Sequence, residues 1–67
     1  MDYTVIAEDA PLGVQLWPTT DAKYAPNFTL AQVDVVRLPL GKRVVWTYEN
    51  GSQRTFALGE AIVCRTV

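Results

Sequence analysis

The sequence predicts an all-β domain of five to six short antiparallel strands, with at most one short helical turn near residues 29–32. Three observations predict it. Asn50-Gly51 lies between residues 43–47 and 54–58, whose β-branched and aromatic side chains suit strands. Asn-Gly tolerates the positive φ angles of a tight hairpin turn. Proline and glycine punctuate the rest, at Pro11, Gly13, Pro18, Pro39, Gly41 and Gly59.

Residues 3–7, Tyr-Thr-Val-Ile-Ala, read as the first strand, and residues 8–13 as a turn. Residues 14–17 alternate and form a short second strand. Pro18 has no N–H for a ladder, so this strand ends there or lies on an edge. Residues 18–28 form a long connection carrying Tyr24 and Phe28, placed to cap an open end of the core or to form a binding lip. Thr29-Leu30-Ala31-Gln32 fits a helix capping box, whereas the Val33-Asp34-Val35-Val36 that follows is stiff at χ1 and favours a strand. The expectation is one helical turn at 29–32, then a strand from Gln32 to Leu38. Pro39-Leu40-Gly41 makes a tight turn. A hairpin begins at Lys42 or Arg43, turns at Asn50-Gly51 and returns to Leu58-Gly59. Residues 61–66 form the last strand. Pro11-Leu12-Gly13, Pro39-Leu40-Gly41 and Ala57-Leu58-Gly59 repeat one kind of punctuation, a leucine expected to pack ahead of a glycine that permits the bend.

So many short strands in 67 residues suggest a small barrel or a strongly bent sheet, SH3-like or OB-like; a meander that dimerises over its open face is the second choice.

Hairpin register decides which rings are inside. With a two-residue turn, Tyr48 lies opposite Gln53, Trp46 opposite Thr55 and Val44 opposite Ala57. Val45, Phe56 and Leu58 then face the core, and Trp46 and Tyr48 stand on the second face. A three-residue loop bulged at Gly51 instead sets Val44 opposite Phe56 and gathers the rings on one core face. The two-residue turn is the expected one.

Composition narrows the chemistry. A domain this short has a thin stability margin. Cys64 is the only cysteine, so no internal disulfide forms, and its apolar strand makes it a core residue. Histidine is absent, which removes Ser-His-Asp and Cys-His arrangements and the usual zinc sets. The four glycines are isolated, so no phosphate loop exists. No catalytic residue, cofactor site or metal site is expected. No apolar run approaches a membrane span and residues 1–4 lack a signal-peptide pattern, so a cytoplasmic protein with no membrane partner is expected.

Residues 1–34 carry Asp2, Glu8, Asp9, Asp21 and Asp34 against Lys23, a balance of −4; residues 35–67 carry Arg37, Lys42, Arg43, Arg54 and Arg65 against Glu49 and Glu60, a balance of +3. Either the halves pair their charges in the fold or a basic face awaits an anionic partner.

These features describe a non-enzymatic binding module. Trp, Tyr and Arg dominate interface hot spots, so a protein partner is expected, through Arg43, Trp46, Tyr48, Arg54 and Tyr24. A homo-oligomer fits the same composition. Nucleic acid is the alternative, with Trp and Tyr stacking on bases beside Arg and Lys, although the pI near 5.0 opposes it. In size and architecture alone, the hairpin with the Gly59-Glu60 turn behind it is similar to short β-barrel proteins of phage and mobile elements, which implies a small regulator or inhibitor; no motif is shared and no residue is carried over.

Overall fold

A computed structural model describes residues 2–20 and 29–66. Six strands and one helical turn follow in order: β1 (Asp2–Ile6), a 3₁₀ turn (Ala7–Asp9), β2 (Leu16–Pro18), β3 (Leu30–Leu38), β4 (Gly41–Tyr48), β5 (Gln53–Ala57) and β6 (Ala61–Thr66). The domain is all-β. It consists of two three-stranded antiparallel sheets, β1-β6-β2 and β3-β4-β5. Among the described residues they do not close into a barrel; an isolated Gln15–Thr29 bridge joins β2 to the start of β3. Among the described residues no helix is long and apolar enough to cross a membrane.

The helical turn falls elsewhere than expected. Thr29 and Leu30 pair as strand: the Leu30 N–H donates to the Val14 carbonyl, and the Leu30 carbonyl accepts from Gly13 N–H, each within 2.9 Å. Those partners satisfy the backbone groups that a helix start would leave open, and the β-branched run prevails over the capping box. A register shift between Leu30 and Gln32 absorbs the extra residue, Ala31. The only helical residues described are Ala7–Asp9. Pro18 ends β2 at the edge of its sheet, as its missing N–H requires.

The hairpin loop also differs. Val44 pairs with Phe56, Val45 with Thr55 and Trp46 with Arg54. Gly51 N–H donates to the Tyr48 carbonyl and Tyr48 N–H to the Ser52 carbonyl, both at 2.9 Å, so the loop is Glu49-Asn50-Gly51. Gly51 takes a φ of +88°, the bulge conformation, and Asn50 Oδ1 accepts the Ser52 N–H at 2.9 Å. Asn-Gly accommodates either loop. Core packing selects this one, because it turns Val44, Trp46, Tyr48 and Phe56 to one side.

That side is the core. Val44, Trp46 and Tyr48 are buried and pack with Leu30 of β3, Leu16 of β2, Ile62 and Cys64 of β6, and Ala7 and Ala10, with Val5, Val33 and Phe56 at the margin. Trp46 and Phe56 have ring centroids 4.6 Å apart at 59°. The Trp46 indole N–H donates to the Ala7 carbonyl at 2.7 Å, a buried bond that ties one sheet to the helical turn leading out of the other. Trp17, opposite Arg65, is buried as well. Of the residues the two-residue turn would have sent inward, Phe56 does pack there, Val45 is half-buried on the opposite side and Leu58 is exposed.

Candidate functional site

The surface that stands out is the far end of the β3–β4 ribbon. Beyond Val44 no residue of this ribbon is buried: residues 35–43 are all exposed. Leu38 pairs with Gly41, so Pro39-Leu40 forms a two-residue turn at the apex. Proline sets the φ that the first corner position needs. Gly41, at φ +135°, supplies a conformation that side chains with a Cβ rarely adopt. Leu40 is fully exposed, Leu38 is 47% exposed and Val35 50%. A groove of about 320 Å³ runs between Leu38, Pro39, Leu40, Gly41 and Arg43, with Gly41 lacking a side chain where Leu38 faces it. Leu58, just past the Arg43–Ala57 pair, adds another exposed leucine at this end of the sheet.

Cations ring the apex. Arg37 lies opposite Lys42, and Arg43 opposite Val36. Side chains alternate along a strand, so Arg37 and Lys42 occupy one face of the ribbon and Arg43 the other. None of the three has a hydrogen bond or ion pair with a described residue. Four carboxylates are engaged elsewhere. Asp2 bridges Arg65 at 3.1 Å, and that guanidinium holds the Asp2 carboxyl below its ordinary range. Glu8 accepts the Gly59 N–H at 2.9 Å and Glu60 the Ala57 N–H at 3.0 Å; Asp34 accepts from the Gln32 amide at 2.7 Å. Asp2–Arg65 is the one ion pair among the described residues that joins the acidic and basic halves, so charge pairing between the halves does not reach the ribbon.

The residues expected at a contact surface separate. Trp46 and Tyr48 are 0% and 1% exposed, inside the core, which corrects the expectation that they stand on an open face. The physical reason is the bulged loop, which shifts the register by one residue. Arg43 is exposed at the apex. Arg54, opposite Trp46, is half-buried and donates to the Gln53 carbonyl at 2.9 Å. Tyr24 lies outside the described residues. Residue-type reasoning missed Leu38 and Leu40: the leucines ahead of glycines were expected to pack, yet Leu12, Leu40 and Leu58 are all exposed. The signal available was the acid-free run from Val35 to Tyr48, in which three cations surround Leu-Pro-Leu.

Cys64 is buried, and burial pushes its thiol up to about 11, so it stays protonated and unreactive at neutral pH. Among the described residues no three His, Cys, Asp or Glu side chains gather to hold a metal. Comparison with known protein families, curated proteins and solved structures finds no match.

Proposed function

We propose that this chain is a non-enzymatic binding module whose contact element is the exposed half of the β3–β4 ribbon. One observation carries the reading: Leu38 and Leu40 are exposed at a tight turn while both tryptophans are buried. Burying a leucine stabilises by roughly 1.5–3 kcal/mol, so apolar side chains kept in water at an apex represent interaction energy available to a partner. With Trp46 and Tyr48 inside, neither hot-spot contact nor base stacking is open to them; the surface left is apolar at its tip and cationic around it. Its partner is a macromolecule with an anionic surface, a protein edged by carboxylates or a nucleic acid. For the architecture, the finer reading is a bent sheet tending toward an SH3-like or OB-like closure, supported by the Gln15–Thr29 bridge.

The test is capture from source-cell lysate on immobilised wild type and on the Leu38→Ser/Leu40→Ser variant, quantified by mass spectrometry. Components retained by the wild type and lost with the variant are expected. Identical retention on both would refute the ribbon as the contact element.

A further inference from the structure

We infer that the β3–β4 ribbon enters the major groove of double-stranded DNA. The inference rests on the ribbon being the contact element and names its partner. Three features lead to it. First, the cations lie on both faces of the ribbon, Arg37 and Lys42 on one and Arg43 on the other, all without a described partner. A membrane surface or a single acidic patch meets one face; a groove walled by two phosphate backbones meets both. Second, the element is the right shape. A two-stranded β-ribbon fits the major groove of B-form DNA, about 12 Å wide. Third, the apex is apolar, with Leu38 and Leu40 both exposed there. Apolar side chains in the major groove meet thymine methyl groups. The acidic pI does not oppose this placement, since Asp2, Glu8, Asp34 and Glu60 are each bonded away from the apex and no carboxylate occurs from residue 35 to 48.

In this arrangement Arg37 and Lys42 contact one backbone and Arg43 the other, while the leucines lie against base edges. Duplex RNA excludes the ribbon, because its major groove is too narrow for side chains to read.

The experiment is fluorescence anisotropy of labelled short duplexes, DNA and RNA of one sequence, titrated with wild type, Arg37→Gln/Lys42→Gln/Arg43→Gln and Leu38→Ser/Leu40→Ser. All five positions are exposed, and an unchanged urea midpoint verifies that each variant is folded. The wild type is expected to bind the DNA duplex and not the RNA duplex. With three phosphates neutralised, affinity should fall about 40-fold between 50 and 200 mM salt. The triple cation variant should lose binding, and Arg43→Gln alone should lower the salt slope by about one. The leucine variant should bind more weakly with its salt slope intact. No anisotropy change with DNA at 50 mM salt, equal binding of the RNA duplex, or a triple variant that binds as wild type would each overturn the inference. If DNA fails while lysate capture still depends on Leu38 and Leu40, the groove is wrong and the ribbon stands as a protein-binding element. If both fail, the ribbon reading falls too.

Discussion

Trp46→Phe isolates what the indole contributes to the joint between the sheets. Trp46 is fully buried, and its N–H reaches the carbonyl of Ala7, itself fully buried. Phenylalanine keeps a ring beside Phe56 but removes the donor and about two ring carbons. The Ala7 carbonyl keeps its 3₁₀ bond from the Ala10 N–H, so the loss is one buried hydrogen bond, about 0.5–1.5 kcal/mol net. The lost carbons add roughly 1.5 kcal/mol at ~0.8 kcal/mol per buried methylene-sized group. The total, about 2.5 kcal/mol, is large against the ~3–10 kcal/mol expected for a domain of this length. The assay is urea unfolding followed by far-UV circular dichroism, with the m-value compared with wild type to verify two-state behaviour. Leu40→Ala is the control and should change stability by under about 0.5 kcal/mol. A loss below about 1 kcal/mol for Trp46→Phe would refute the buried bond to Ala7 as a tie between the sheets.

Further outcomes follow from single groups. Gly51→Ala should destabilise by about 1–2 kcal/mol in thermal unfolding, because φ +88° strains any side chain while nothing nearby obstructs a Cβ. Native Cys64 should resist a thiol-specific dye at neutral pH and react fully in urea; because burial raises its pKa in the folded state from 9.0 to about 11, its contribution to stability should be complete below pH 9 and decline as pH rises through 11, which urea titrations across that range would show. Asp2→Asn should lower the urea midpoint at neutral pH only slightly, since the Asp2–Arg65 pair is solvent-exposed, and should remove the equally small loss of stability that the wild type shows as pH falls through the lowered Asp2 pKa.

Much of the backbone was legible in the residues. The Ala61–Thr66 strand, the Pro39-Leu40 turn, the hairpin at Asn50-Gly51 and the end of β2 at Pro18 follow from side chains whose local preferences are strong. The rest depended on contacts distant in sequence. Thr29 to Gln32 satisfies a local helix rule, yet Val14 and Gly13 supply strand partners that no local pattern reveals. Asn50-Gly51 fixes that the chain reverses there but not whether two or three residues make the loop, and that single residue decides whether Trp46 faces water or Ala7. The candidate site was read for residue type rather than for placement. Trp46 and Tyr48 looked like contact residues because rings often are, whereas Leu40 looked like a packed residue because it precedes a glycine bend. The three-residue loop at Glu49-Asn50-Gly51 reversed the first reading, and the extension of the β3–β4 turn past the buried residues reversed the second.

Hydroxyl-radical footprinting with mass-spectrometric readout, each residue normalised to its rate in urea, measures this inversion directly. Strong native-state protection of Trp46 and Tyr48, with Leu38 and Leu40 oxidised nearly as fast as in the unfolded chain, is the expected result. Rings that oxidise freely in the native protein, or apex leucines as protected as Leu30, would contradict it.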